Sequence, residues 1–547
     1  MNSRMSFDDV VLAVQGALDR AIRRLRVGRA PRRDHRRLLI VQIDGLSRAV
    51  LEEAIATGCA PFLRRLLQRH RFRMVPMSVG LPTSTPAFQL SAMYGVRPDI
   101  PGFHFHDKRR REDVYFPRAG DAARIEREQA GGRRGIVEGG STYGCIFTGG
   151  ARNNLFSMAM IKRPAGAGLL PLASALVVVV YAIVKAAALT AVELLRAFLR
   201  FVGDPFRGGW KLLAIKVGVS VWMRELFTLA VARDVYAGVP AVYVNFLDYD
   251  VFAHEAGPRH RRALRALRRI DRSIHQLWRV CRRVPEYQYD LYVLSDHGQA
   301  HCRPFLDLNS GKPLERHLFD EFFDRAGAAA VTPQQPRGQR RLTGGIKAYR
   351  SGRAPGLLQR FVNYLEDGFP WVLGELREAR ERAGVRVVAA GPNAFVYFVD
   401  RREPLTLEEV DQRFPGVADG ISRMRAVGTV LARTAAGPVC LWRGKRYALA
   451  DLGAGPFAGR PDLDLVTDGI RDLMQMPSAG DLVIYGLGAP EGDVSYVAER
   501  GAHAGATPEE MHTFVVAPPG VALSSPLTHA VQLYPHFAAY QEAFRAA

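Results

Sequence analysis

Six side chains that can bind a divalent cation stand out by type and spacing: Asp44, Asp250, His254, Asp296, His297 and His503. Asp250 and His254 are four residues apart. One helical turn therefore puts both on one face, where a carboxylate and an imidazole can share a zinc ion. Asp296 and His297 are adjacent, so a loop rather than a helix must aim both inward. His503 sits in a Gly-rich loop, GAHAGA. Each pair alone is a weak signal, since a DH dipeptide is common. Six such ligands together would make two three-ligand sites with open positions, the arrangement a two-metal hydrolase needs. There one ion lowers the pKa of a hydroxyl nucleophile and the other stabilises the leaving oxygen. Hydroxyls are at hand in Thr83, Ser84 and Thr85, bracketed by Pro82 and Pro86. A helix starting at Pro86 would hold them at its N-terminus, where free N–H groups and the dipole favour phosphate. The plainer reading is a Ser/Thr N-cap.

The elements that must position these residues are three apolar runs of strand length. LLIVQIDG (38–45) ends at Asp44, AVYVNFLDYD (241–250) ends at Asp250, and DLYVLSDHG (290–298) ends at Asp296-His297. Apolar runs bounded by polar loops read as buried parallel strands. In open α/β sheets the ligand lies beyond the carboxyl ends of the strands. The expected fold class is therefore α/β, a mostly parallel sheet sandwiched by helices.

At 547 residues the chain exceeds one compact domain; about three to four units is the prior for that length. Apolar content of 48% excludes global disorder. The net charge of +21 suggests anionic surroundings: phosphate esters, anionic lipid or nucleic acid. The five cysteines are scattered and contain no CxxC pair, which excludes a disulfide framework and a thiolate zinc site and fits a reducing compartment. The N-terminus lacks the basic-then-apolar order of a secretory signal. The expected location is the cytoplasmic side, peripheral or monotopic at the membrane.

In chain order, 1–37 reads as a basic amphipathic helix and linker, and 38–165 as the first part of the catalytic core. Residues 166–232 read as a hydrophobic helical insert, 233–305 as the second core part and 306–480 as an α+β cap insert. Residues 481–547 complete the core and add a C-terminal helix. Leu169–Val184 is nearly uncharged, but Lys185 follows. Asp44 and Thr85 precede the insert and Asp250 follows it, so a single crossing would part residues that must meet. A helical hairpin lying on or dipping into a membrane is favoured over a buried soluble hairpin and over true spanning. Residues 1–37 and 166–232 are thus candidates for contact with an anionic membrane surface.

The motif order resembles the alkaline phosphatase superfamily, and within it the type I phosphodiesterase/nucleotide pyrophosphatase branch. The quoted motifs are IDG at 43–45, PTST at 82–85, DVFAHEAGP at 250–258, SDHG at 295–298 and GAHAG at 501–505. The resemblance covers about residues 38–160, 235–305 and 480–518, and implies an alkaline-phosphatase-like core. It implies that Asp44, Asp296 and His297 hold one ion and Asp250, His254 and His503 the other, with zinc or manganese both acceptable to such ligands. It implies Thr85 as the nucleophile, forming a covalent phospho-threonine that water cleaves with overall retention at phosphorus; Ser84 and Thr83 are fallbacks, and Ser84 is a candidate substrate contact. Three departures stand out. The nucleophile turn continues Pro86-Ala87-Phe88-Gln89 where the family has PNH. His106 stands near the place of an asparagine that helps hold a phosphate oxygen, which makes it a candidate catalytic residue. Ala504 replaces a glycine. The sulfatase branch is set aside because Cys59 and Arg64 are one residue too far apart for its motif.

The expected function is a metal-dependent phosphoester hydrolase. The alternatives are a membrane-associated phosphatase or phosphotransferase acting on a lipid headgroup, and a basic membrane- or nucleic-acid-binding protein without activity. No specific nucleic-acid motif is present.

Overall fold

The computed structural model describes residues 35–116, 118–155, 222–323 and 384–546, with residues 184, 187, 190, 191, 381 and 382. Fourteen strands form two seven-stranded sheets. They are β1 (Arg37–Ile43), β2 (Arg73–Ser78), β3 (Ser141–Tyr143), β4 (Asn153–Leu155), β5 (Ala241–Phe246), β6 (Tyr289–Leu294), β7 (Glu381–Arg382), β8 (Val385–Ala389), β9 (Asn393–Phe398), β10 (Thr429–Thr434), β11 (Gly437–Trp442), β12 (Lys445–Ala448), β13 (Leu482–Tyr485) and β14 (His512–Ala517). The first sheet runs β2-β14-β6-β1-β5-β3-β4. β1 lies between β5 and β6 and is parallel to both. β3 and β4 continue the parallel set, while β14 runs antiparallel to β6 and β2.

All seven residues of β1 are buried, as a central parallel strand requires. Its alternating side chains enter two cores: Leu38 and Ile40 on one face, Leu39, Val41 and Ile43 on the other. The helices that close these cores are α1 (Arg48–Ala56), α2 (Pro61–Arg69), α3 (Thr85–Tyr94), α4 (Arg224–Ala237), α5 (Asp248–Ala256), α6 (Arg261–Arg283), α7 (Leu463–Gln475) and α8 (Leu533–Ala546). Helices α1, α2, α4 and α6 pack on one face, and α3, α7 and α8 on the other. This is the expected mostly parallel sheet between helical layers.

The second sheet, ordered β7-β8-β9-β13-β10-β11-β12, is antiparallel. One face, with Phe395, Tyr397, Leu431 and Val483, joins the core of the first sheet. The other, with Val387, Val396, Val430 and Ile484, closes over short helices and Phe319 and Phe323.

Several expected boundaries shift. Leu482–Tyr485 lies between β9 and β10 in the second sheet, so the cap runs past 480; a short buried apolar run reads the same in either sheet. α4 packs Phe227, Leu229 and Val231 into the first domain, so the core resumes before 233. The segment 47–70 is two helices, with Pro61 opening the second. α3 begins at Thr85, one residue ahead of Pro86. Residues 1–34 of the helix and linker expected over 1–37, most of residues 166–221 of the insert expected over 166–232, and residues 324–380 of the cap expected over 306–480 lie outside the described residues. Among the described residues no helix is long and apolar enough to cross a membrane.

Candidate metal centre

The three central strands end at one rim. Asp44 directly follows β1, Asp250 and His254 lie one turn apart on α5 just after β5, and Asp296-His297 follows β6. His503 reaches the same place from the loop before β14. Two ligand groups result, Asp44–Asp296–His297 and Asp250–His297–His503, each with ligand atoms within 4.8 Å of one another. His297 belongs to both. His254 joins through Asp250, with Nε2 3.3 Å from the Asp250 Oδ2, and its ring centroid is 5.0 Å from that of His503. All six expected ligands therefore meet. The difference from expectation is that His297 stands between the two groups; its ring stacks on His503 at 3.7 Å.

Three histidines are oriented alike. The Nδ1 of His503 donates to the Thr83 carbonyl (2.8 Å), that of His297 to the Gly298 carbonyl (3.1 Å) and that of His254 to the Gly501 carbonyl (2.9 Å). A neutral imidazole so bonded carries its lone pair on Nε2. His254 Nε2 then faces a carboxylate oxygen of Asp250, and His297 Nε2 faces one of Asp296 at 3.4 Å. Two acceptors so placed need a positive charge between them, either a proton or a metal ion. The Asp296 Oδ2, fully buried, has no hydrogen-bond partner among the described residues. Hard carboxylate and imidazole donors with backbone-held second nitrogens fit a divalent ion of the zinc or manganese type.

Charge crowding points the same way. Burial, with Asp296 and Asp250 nearby, holds the Asp44 carboxyl well above its usual range. Burial also raises Asp296. Burial, the largest influence, would raise Asp250 too, but His254 together with His503 and His297 outweighs it and leaves the pKa below the usual range. Burial and the neighbouring His297 and His254 push His503 well below an ordinary imidazole, so it stays neutral as a ligand must.

Thr85 Oγ1 stands at the junction, 3.3 Å from the Asp44 Oδ1 and 3.1 Å from the His297 Nε2. It is the first residue of α3, and the preceding Ser84 is extended and makes no side-chain cap bond. Ser84 Oγ is buried and without a partner among the described residues. Thr83 is committed elsewhere: its hydroxyl donates to the Gly505 carbonyl and accepts from the Ala504 N–H, each at 3.0 Å. This clamp ties the hydroxyl turn to the His503 loop.

His106 keeps other company. It lies in the hairpin of Glu112–Tyr115 with His104–Asp107, its Nδ1 2.9 Å from the Asp113 carboxylate and its ring against Tyr397. None of its described contacts is with Thr85 or the six ligands. Gln89 is likewise beneath the site, donating to Gln42 Oε1 (3.2 Å) and accepting from the Ile146 N–H (2.8 Å). Asp248, the first residue of α5, is buried against Arg224 at 3.1 Å.

Supporting residues that the motifs did not single out are Asn245, Gln299 and Glu499. Asn245 Nδ2 donates to Asp44 Oδ2 at 2.6 Å, and Gln299 donates to the Asp250 carboxylate. Glu499 Oε2 lies 2.8 Å from His254 Nδ1, while its Oε1 accepts from Ser495 Oγ at 2.7 Å. A buried amide inside the apolar AVYVNF strand was a legible signal for Asn245. Gly45 completes the rim at φ +72°, where a Cβ would come within 2.3 Å of Asp250 Oδ1.

Residues 194–352 match the family model described as Type I phosphodiesterase / nucleotide pyrophosphatase. That span is under a third of the chain and holds Asp250, His254, Asp296 and His297, so it bears out the resemblance read from the motifs. Among curated proteins none matches. Similar solved structures include phosphonoacetate hydrolase from Sinorhizobium meliloti 1021 in complex with phosphonoformate or phosphonoacetate. Each is 14% identical with a TM-score of 0.44, over 93% of this chain and 96% of that one. Another is murine ectonucleotide pyrophosphatase/phosphodiesterase 5, an inactive form in complex with AMP, at 9% identity and a TM-score of 0.44, over 93% of this chain and 95% of that one.

Proposed function

We propose that this chain is a metal-dependent phosphoester hydrolase, of the phosphodiesterase/nucleotide pyrophosphatase kind, working through a covalent phospho-threonine at a two-metal site. The carrying observation is the Thr85 hydroxyl, placed within 3.3 Å of Asp44 and 3.1 Å of His297 where the two ligand groups join. Asp44, Asp296, His297, Asp250, His254 and His503 would hold two ions, which when bound supply positive charge to the phosphate and acidify the attacking hydroxyl.

The chain's own groups do the rest. Asp44 Oδ1 accepts the Thr85 hydroxyl hydrogen and so fixes the direction of the oxygen lone pairs. The N-terminus of the ten-residue α3 adds partial positive charge where the phosphate would lie. Ser84 Oγ offers a free donor to a phosphate oxygen. Thr85 Oγ gives up its proton and forms the bond to phosphorus as the ester oxygen leaves, the departing alcohol taking up a proton in its place; water then displaces Thr85 Oγ in a second in-line step and one of its protons restores the hydroxyl. Two inversions give net retention.

The test is hydrolysis of bis-p-nitrophenyl phosphate and p-nitrophenyl phosphate by zinc- or manganese-loaded protein, with Thr85→Ala alongside. Diester turnover that falls at least about a thousandfold in the variant, with bound metal unchanged, is expected. Turnover that survives the substitution overturns the nucleophile, and protein that retains no divalent ion overturns the metal centre.

A further inference from the structure

Helix α6 turns Ala263, Ala266, Leu267, Ile270, Ile274 and Leu277 into the core. Its outer side exposes Arg261, Arg265, Arg268 and Arg272. α2 lies alongside and exposes Arg64, Arg65 and Arg69. Among the described residues few acids face this charge. The single acid in α6, Asp271, is buried and accepts from the N–H groups of Phe62 and Leu63 at 2.9 and 2.8 Å, capping α2. At its margin Glu255 pairs with Arg262 and Glu53 with Arg259. His70, beside Trp278 at the edge of this face, reports the field: burial and then Arg282, Arg65 and Arg69 push its pKa down.

The cations are all guanidinium groups, which bind phosphate in a planar fork. The face is a broad pair of helices rather than a cleft. The large hydrophobic residues exposed among the described residues are Val184 and Trp222. Trp222 lies two residues ahead of α4, which packs on α6, and its Nε1 donates to Thr190 Oγ1 at 3.0 Å. Arg224, two residues on, pairs with Asp248 at the rim of the metal centre. Exposed tryptophan and arginine side chains both suit the headgroup zone of a bilayer, where an apolar ring and guanidinium groups find partners.

We propose that the outer faces of α2 and α6 dock on an anionic lipid bilayer, with the mouth of the metal centre at one end of the docked face. The arginines of α2 and α6 lie outside residues 1–37 and 166–232, while Trp222 belongs to the latter segment, and the proposal does not depend on the activity proposed above.

The test is flotation of the full chain with phosphatidylcholine vesicles and with vesicles containing about one-third phosphatidylglycerol. One variant carries Arg265→Gln, Arg268→Gln and Arg272→Gln. A control of equal charge change carries Arg401→Gln, Arg402→Gln and Lys445→Gln on the cap. Binding to the anionic vesicles alone is expected, at least about tenfold weaker in the α6 variant and weakened by salt, with the control and the melting temperatures unchanged. Binding equal for the α6 variant and the wild type overturns the proposal and moves any membrane contact to other segments. Equal loss in the control overturns it as general charge attraction. Tight binding to RNA or DNA oligonucleotides with none to vesicles overturns it in favour of a nucleic-acid surface.

Discussion

Glu499 shows how much of a metal site lies behind its ligands. Its carboxylate is fixed at one oxygen by Ser495 and set at the other against His254 Nδ1. An anion there strengthens the imidazole as a donor and holds the ring in place. Glu499→Gln keeps an acceptor but loses the charge. It should weaken divalent-ion retention by about 10- to 100-fold in competition with a chelator, while His254→Ala should weaken it further. Equal retention in wild type and Glu499→Gln would rule this support out. At the other end of the same loop, Ala504 sits at φ +124°, a conformation that favours glycine. Its N–H is nevertheless held by Thr83. Ala504→Gly should therefore stabilise the fold by about 1 kcal/mol, strain relief exceeding the added chain entropy. A lower denaturation midpoint in the glycine variant would sink that account. The glycine that the resemblance implies at 504 is thus absent in sequence while its backbone geometry persists.

The hairpin of His104–Asp107 and Glu112–Tyr115 is tied to the second sheet by a buried ion pair. Lys108, at the tip of the hairpin that follows α3, places its Nζ 2.9 Å from Asp481 just ahead of β13, and both side chains are almost wholly buried. Asp481 also accepts from the N–H groups of Phe398 and Leu405, both at 2.7 Å. Lys108→Met would fill the space yet leave Asp481 charged and buried. A loss of about 3–5 kcal/mol in unfolding free energy is expected, read by denaturant titration. A loss below about 1 kcal/mol would mean that the two backbone donors alone satisfy Asp481. Elements of this kind mark the limit of reading the chain by pattern. The β1, β5 and β6 strands were legible because each is a short apolar run, bounded by polar loops, that stops at a carboxylate. The Asp250–His254 pair was legible because α-helical spacing fixes it. β13 was not, since LVIY carries no sign of which sheet it will join. Nor was the place of His106: motif alignment brings it near an asparagine's position, but its hairpin turns the ring toward Asp113 and Tyr397. Glu499 and Gln299 were invisible because support across a site depends on tertiary approach rather than spacing.

At the scale of the whole molecule, the site and its surroundings have opposite signs. Asp44, Asp250 and Asp296 concentrate negative charge at the rim, inside a chain of net charge +21. The rim's outer edge is basic, since α6 begins with Arg261 and Arg262 five residues beyond the end of α5. A phosphoester anion approaching from solvent meets the positive exterior first, and the same field gathers anions near the mouth. Such attraction acts on encounter rather than on the bond-breaking step, and salt screens it over about 8–10 Å. For an anionic diester such as bis-p-nitrophenyl phosphate, kcat/KM should therefore fall severalfold as ionic strength rises from about 0.01 to 0.15 M, with kcat nearly constant. Neutralising Arg261 and Arg262 to glutamine should flatten that dependence without changing kcat, because neither side chain approaches Thr85 or its ligands. A salt-independent kcat/KM would mean that the field at the mouth is set by the carboxylates and their ions, leaving the surplus charge to serve the surface of α2 and α6.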